Sequence, residues 1–195
     1  MIPSSPARTS REPIALPAHL RRIVLAGFMG AGKSSVGRLL AERLRWSFLD
    51  LDAHLEARAG MTIPQIFRDH GEAEFRRLES SALASALSSA NTVLALGGGV
   101  PESITNRLLL EQTPGTYTVF LDAPFATLYD RCMLEGVGNP SAVRPVLHDP
   151  AEAELRFQRR HPLYVRMAQL RLDTATLSAE DAAEAIVAAL KQANI

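Results

Sequence analysis

Short apolar runs alternate with helical patterns along most of the chain. The first run, residues 23–26, leads into a glycine-rich turn, after which Val36, Leu39, Leu40 and Leu44 recur at the spacing of one helix face. The later runs are typical of buried strands, and each is followed by helical sequence. The predicted strands are residues 23–26, 46–50, 92–96, 117–121 and 170–173. Further helices are predicted at 53–59, 63–70, 72–89, 125–135 and 151–168, and a last one begins at Ser178.

This alternation decides the fold class. Parallel strands need crossover connections, and helices in those connections cover both faces of a sheet. The pattern therefore predicts a three-layer α/β/α domain with a largely parallel sheet. Binding sites in such domains lie at the carboxyl ends of the strands.

Two segments interrupt the pattern. Residues 1–20 carry four prolines among serine and arginine, and proline removes the backbone donors that helices and sheets need. We predict a flexible N-terminal tail there, followed by a single domain over residues 21–195. Residues 136–150 contain two glycines and three prolines, which are incompatible with a continuous helix.

The amino-acid composition excludes several classes of function. The 195 residues are 47% apolar and 22% charged, as in an ordinary globular protein. Twenty-one basic side chains balance 21 acidic ones, so we expect no nucleic-acid partner, and any phosphate binding must be local. No apolar run is long enough for a membrane span, and we expect no membrane partner. A single cysteine, Cys132, excludes an intramolecular disulfide and favours a cytoplasmic setting.

The turn after the first strand carries a phosphate-binding motif. Residues 27–34 read GFMGAGKS and match G-x-x-x-x-G-K-[ST] between a predicted strand and a predicted helix. The glycines aim backbone N–H groups at one concavity, and the helix N-terminus adds a positive dipole. Lys33 is placed to reach the β- and γ-phosphates, and the Ser34 hydroxyl to ligate Mg²⁺.

Other polar residues follow the next two strands, and each has an ordinary structural alternative. Asp50 and Asp52 come at the end of the second strand, where Asp52 could simply cap the next helix. The triglycine of residues 97–99 allows close approach of a ligand or forms a flexible turn. Arg76 and Arg160 could be helix-surface arginines, with Arg76 paired to a neighbouring glutamate.

Taken together, six motifs carry a family resemblance. They are GFMGAGKS (27–34), FLDLD (48–52), GExEFR (71–76), LGGG (96–99), RPVL (144–147) and RxPLY (160–164). Their order closely resembles that of shikimate kinases over about residues 22–175. The resemblance implies a P-loop kinase of the nucleoside monophosphate kinase-like fold, with a five-stranded parallel sheet and a mobile lid at about 136–150. It also implies transfer of a phosphoryl group from ATP to shikimate, in the pathway to chorismate and the aromatic amino acids. We expect the enzyme to be a monomer.

The same resemblance implies residue roles. Lys33, Asp52 and Arg144 would be catalytic, with Asp52 orienting the acceptor hydroxyl and Arg144 reaching the phosphates from the lid. Asp52, Arg76 and Arg160 would bind shikimate together with backbone groups of the glycines, and a planar guanidinium suits its carboxylate. Ser34 would ligate Mg²⁺ directly and Asp50 through water. The ATP phosphates would lie on Gly30, Ala31, Gly32, Lys33, Ser34 and Ser35, and the glycines near shikimate would be Gly97, Gly98 and Gly99.

The chain departs from the family pattern around adenine. The turn at 173–177 lacks the arginine or glutamine common in relatives, and no second arginine lies between Gly136 and Val143. Arg131 could replace that arginine only with a different lid geometry. Two other functions stay open: a kinase of this fold acting on gluconate or a nucleoside monophosphate, and a nucleotide-binding module without transfer activity. The paired arginines and the D-x-D motif argue against the first, and the altered turn alone supports the second.

Overall fold

The computed structural model describes residues 14–138 and 149–192. Within them lie five strands and seven α-helices. The strands are β1 (Arg22–Ala26), β2 (Ser47–Asp50), β3 (Thr92–Ala95), β4 (Thr116–Asp122) and β5 (Leu170–Asp173). The helices are α1 (Lys33–Leu44), α2 (Leu51–Ala59), α3 (Ile63–Ala86), α4 (Ile104–Gln112), α5 (Phe125–Gly138), α6 (Pro150–Met167) and α7 (Ala179–Gln192).

The strands form one parallel sheet in the order β2-β3-β1-β4-β5. β1 is central and buried along its whole length, with Val24 paired to Leu94 of β3 and Thr118 of β4. A strand buried on both faces has no polar face to alternate, which is why its sequence is a continuous apolar run. The predicted α/β fold with a five-stranded parallel sheet is confirmed.

This strand order brings three loops together. β1, β3 and β2 are neighbours, so their carboxyl ends lie side by side at one edge of the sheet. Those ends carry the phosphate loop, the triglycine and the two aspartates. The order of the sheet therefore assembles the residues singled out in the sequence.

Helix boundaries follow local capping. Thr62 and Gln65 form a capping box at the start of α3, and Gly71, with φ 79°, interrupts that helix where the sequence predicts a break. α2 begins at Leu51, two residues before the predicted start, because the Asp50 carboxylate caps it by accepting from the backbone N–H of Asp52 at 3.1 Å. The expectation that Asp52 could be the cap was wrong.

The structure changes one boundary of each predicted irregular segment, the N-terminal tail and the lid. Ile14 and Leu16 pack against the core and Leu20 is buried, so the predicted boundary after residue 20 falls inside a packed segment. α5 continues through Gly138, three residues beyond its predicted end. Residues 139–148, which carry most of the predicted lid and Arg144, lie outside the described residues, as do residues 1–13 of the predicted tail. Among the helices of the described ranges, none is long and apolar enough to cross a membrane.

Candidate active site

The phosphate loop joins β1 to α1. Gly32 stands at the N-cap of α1 in the left-handed region, with φ 83° and ψ 15°, where a side chain is unfavourable. Since Gly32 has no side chain to cap the helix, the N–H groups of the first turn face the concavity of the loop. Those donors and the positive end of the helix dipole make this loop suited to an anion.

Two contacts fix the shape of this loop. Gly30 also has a positive φ, 74°, and a Cβ there would lie 2.9 Å from the Cys132 sulfur of α5. The loop therefore packs directly on α5. Lys33 folds back across the loop, and its Nζ donates to the carbonyl oxygens of Gly27 and Phe28, each at 3.0 Å. The ammonium is thus held at the concavity where phosphates would lie.

Ser34 and Asp50 meet at the foot of α1. The Ser34 hydroxyl donates to Oδ2 of Asp50 at 2.9 Å, while Oδ1 of Asp50 caps α2. A hydroxyl and a carboxylate are the hard oxygen donors that Mg²⁺ prefers, and they fit a site that keeps several waters. In the part of the chain that the structure describes, no group of three or more histidine, cysteine or acidic side chains could hold a metal.

The triglycine is a surface on which other side chains close. A Cβ on Gly97 would overlap Oδ1 of Asp52, and a Cβ on Gly99 would lie 2.7 Å from Nη1 of Arg76. A Cβ on Gly98 would be 3.5 Å from Nη1 of Arg160, which is an ordinary contact. The structure thus gathers the three predicted acceptor-binding side chains around these glycines.

Both arginines are held by glutamates rather than exposed. Nη1 of Arg76 pairs with buried Glu79 at 3.0 Å, and its Nη2 with Glu72 at 3.3 Å. Arg160 is only 7% exposed, and its Nη2 donates to Glu102 at 2.8 Å. The two guanidinium groups line a cleft of about 620 Å³ with Arg156, Arg159 and Glu102.

Burial and charge oppose each other in this cluster. Burial by itself would lower the pKa of the Arg76 guanidinium, but Glu79, Glu102 and Glu72 together raise that pKa above its ordinary value. Burial also raises the pKa of Glu79, against the opposing effect of Arg76. Arg76 is therefore a fixed cation at the cleft.

Sequence reasoning gave no role to Tyr164, although it belongs to the RxPLY motif. Its hydroxyl donates to the Gly98 carbonyl at 2.6 Å, and its ring stacks on Phe120 with centroids 5.2 Å apart. Burial raises the pKa of this hydroxyl, so it stays a neutral donor. The sequence feature that could have identified Tyr164 is its spacing from Arg160, because residues four apart on α6 share one helix face.

Arg131 contacts the turn that follows β5. Its Nη2 donates to the carbonyl oxygens of Thr174 at 2.6 Å and Ala175 at 3.1 Å. From the sequence, the expected role of Arg131 is limited to replacing a missing lid arginine. The structure joins it to the turn where the resemblance expects adenine.

The geometry can be compared with known proteins. A family model for shikimate kinase matches residues 29–191. Curated shikimate kinases include those of Symbiobacterium thermophilum, 39% identical over 87% of this chain and 96% of the relative, and Limosilactobacillus fermentum, 41% identical over 87% and 95%.

Solved structures agree with the sequence relatives. Shikimate kinase from Acinetobacter baumannii in complex with shikimate superposes with a TM-score of 0.80 at 34% identity, covering 90% of this chain and 96% of that one. Shikimate kinase from Aquifex aeolicus gives 0.71 at 32% identity over 88% and 96%. A gluconokinase from Sinorhizobium meliloti, with a TM-score of 0.57 and 20% identity over 88% and 92%, shares the fold alone.

Proposed function

The chain belongs to the shikimate kinase family, and from that premise we propose that it transfers the γ-phosphoryl group of ATP to the 3-hydroxyl of shikimate. The products are 3-phosphoshikimate and ADP, in the route to chorismate and the aromatic amino acids. The observation that carries this proposal is the closure of Asp52, Arg76 and Arg160 on the triglycine, beside the phosphate loop. The A. baumannii relative, solved in complex with shikimate, supports the choice of acceptor.

Arg76 and Arg160 bind the carboxylate of the acceptor. A guanidinium offers donors in a rigid fork that matches a carboxylate, and both groups are anchored by the surrounding structure. Nε of Arg160 is buried and has no hydrogen-bond partner within the described residues, so one donor of this guanidinium is left unsatisfied by the protein. Bare backbone at Gly97, Gly98 and Gly99 lets the ring approach closely between these side chains.

Asp52 orients the hydroxyl that accepts the phosphoryl group. Its carboxylate lies against Gly97 at the end of β3, next to the phosphate loop at the end of β1. An ordinary aspartate is a weak base for an alcohol, but phosphoryl transfer through a loose transition state requires little deprotonation before transfer. Positioning is therefore the first contribution of Asp52, and proton acceptance the second.

The phosphate loop holds the donor. N–H groups of residues 30–35 and the Lys33 ammonium contact the phosphates, and Arg144 of the lid adds positive charge during transfer. Ser34 would hold Mg²⁺ directly and Asp50 would hold it through water, and this ion would supply neutralising charge to the phosphate oxygens. Lid residues within 136–150 exclude water, because an exposed γ-phosphate would be hydrolysed.

The proposal extends to the state of the protein. We propose that the protein acts as a monomer in the cytoplasm. The single cysteine, Cys132, is buried and forms no intramolecular disulfide, which supports a reducing compartment. Equilibrium sedimentation and localisation of a tagged chain test the two statements separately.

The test is ADP release from Mg²⁺-ATP with shikimate, quinate, gluconate or nucleoside monophosphates, with the product mass checked. We expect a phosphorylated product from shikimate alone and loss of turnover when EDTA removes divalent metal. Phosphorylation of gluconate or of a nucleoside monophosphate instead would replace the acceptor. ATP binding with no product from any acceptor would favour a nucleotide-binding module.

A further inference from the structure

An internal carboxylate lies between the two arginines of the acceptor site. Glu102 ends the short 3-10 turn Val100–Glu102, directly after the triglycine. Its Oε2 accepts from Nη2 of Arg160 at 2.8 Å and from Nη2 of Arg76 at 3.4 Å. One oxygen of this side chain thus contacts both groups that the proposed function assigns to the carboxylate of the acceptor.

The other oxygen of Glu102 binds a third arginine, which lines the same cleft. Oε1 of Glu102 accepts from Nε of Arg159 at 3.0 Å, and the Arg159 side chain is 64% exposed. The backbone of Glu102 is fixed, since its N–H donates to Gly99 and its carbonyl accepts from Arg107 at 3.3 Å. Only the side chain is therefore free to move, and Arg159 offers it a partner nearer to solvent.

We propose that Glu102 sets the affinity and selectivity of the site for a carboxylate by occupying the position between Arg76 and Arg160 in the free enzyme. An acceptor carboxylate binds by taking Arg160 from Glu102, whose side chain turns toward Arg159. This inference rests on the proposed function, because it takes the two arginines as the carboxylate site of the acceptor.

The charge balance of the cluster supports displacement. Arg76, Arg159 and Arg160 face the carboxylates of Glu72, Glu79 and Glu102, and the charge of Asp52 also acts on Glu79. A ligand carboxylate would therefore add to an excess of negative charge, and like charges close together in a partly buried site are unfavourable. Glu79 is 2% exposed and cannot leave, and among the described residues Glu72 pairs with Arg76 alone. Glu102 is the carboxylate that contacts both arginines and has an exposed partner to follow.

The state of Glu102 fits this role. Burial alone would raise its pKa, but the hydrogen bond to Arg160 and the charges of Arg160, Arg159 and Arg76 hold that pKa below its ordinary value. The side chain is thus a full anion at neutral pH and competes directly with a ligand anion. A ligand without a carboxylate gains nothing by displacing it, which is how an internal competitor adds selectivity.

The experiment compares Glu102→Gln with Glu152→Gln. Glu152 lines the same cleft but pairs with Arg156, so its variant makes the same charge change without touching Arg76 or Arg160. Shikimate binding is measured by calorimetry without nucleotide, and kcat and KM by ADP release. The second ligand is the alcohol analogue, with a hydroxymethyl group in place of the carboxylate.

For Glu102→Gln we expect Kd and KM for shikimate to fall about three- to tenfold, in line with loss of one competing ion pair. The value of kcat and the Kd of the alcohol analogue should stay within about twofold, and Glu152→Gln should change each value less than about twofold. Glu102→Asp, which is too short to reach both arginines, should give an intermediate fall and decides the matter if the glutamine variant does not fold.

A rise in KM, or an equal change for shikimate and the alcohol analogue, would overturn the proposal, because Glu102 would then be a structural support of the arginines. Failure of the proposed function can be distinguished from failure of this proposal about Glu102. If the unaltered chain phosphorylates no shikimate, the calorimetric comparison of the two ligands still decides whether Glu102 competes with a carboxylate.

Discussion

Replacing Gly97 with alanine tests the position of Asp52 without touching Asp52 itself. Gly97 has no left-handed backbone, so alanine fits its conformation, and the three atoms nearest to the added Cβ all belong to the Asp52 carboxylate. The methyl group would overlap Oδ1 of Asp52. To reach ordinary van der Waals separation, the carboxylate must move by roughly 1 Å.

A shift of this size at an orienting group lowers turnover by up to about 100-fold, and we expect Gly97→Ala to lower kcat by about 10- to 100-fold. The two neighbouring glycines are matched comparisons. In Gly98→Ala the methyl group makes only ordinary contacts, at 3.5 and 3.7 Å, and the loss in kcat should be several-fold at most. In Gly99→Ala it meets Nη1 of Arg76 at 2.7 Å, which should raise KM for the acceptor more than it changes kcat.

The assay is steady-state ADP release with shikimate, together with thermal unfolding of each variant. A Gly97→Ala enzyme with nearly unchanged kcat would refute the reasoning, since the crowding of Asp52 would then have no catalytic effect. A loss of kcat accompanied by a fall in Tm of more than about 4 °C would also refute it, because that corresponds to about 1 kcal/mol or more of lost stability rather than local displacement.

Three other substitutions address separate parts of the site. Asp52→Asn should lower kcat at least tenfold because it removes an orienting charge; a near-normal kcat with only a higher KM would limit Asp52 to acceptor binding. Tyr164→Phe should destabilise the fold by about 1 to 2 kcal/mol, since the hydrogen bond from the buried Tyr164 side chain to the Gly98 carbonyl is lost, and lower the Tm by about 3 to 6 °C; an unchanged melting curve would contradict this. Arg144→Ala should lower turnover at least tenfold, and unchanged kinetics would remove Arg144 from the active site.

The sheet and the phosphate loop were predictable because their signals are local. A continuous apolar run such as β1 and the spacing of GFMGAGKS each lie within a few residues, and strand-helix alternation fixes a parallel sheet. The predicted first residues of the helices were less accurate. At α2 the sequence could not tell whether Asp50 or Asp52 caps the helix, because both residues are good caps and backbone direction decides between them.

The acceptor site was predictable only through the ordered motifs. Nothing local distinguishes Arg76 or Arg160 from a helix-surface arginine, and it is the sheet that brings them to the triglycine. Glu102 gave no local signal, and Tyr164 gave only its spacing from Arg160, because their partners are Arg160 and Gly98, 58 and 66 residues away along the chain. The packing of residues 14–20 was missed because the prolines dominate the composition there, while three apolar side chains suffice to anchor the segment.

The two oxygens of the Asp50 carboxylate bind two different groups. Oδ1 caps α2, and Oδ2 accepts a hydrogen bond from the Ser34 hydroxyl. The cap holds the carboxylate in one rotamer, so folding aims the second oxygen before any ligand arrives. Asparagine caps a helix nearly as well as aspartate but carries no charge. At residue 50, therefore, selection for folding alone would accept asparagine, whereas selection for phosphoryl transfer would reject it. The two requirements on the protein are separable at this single side chain.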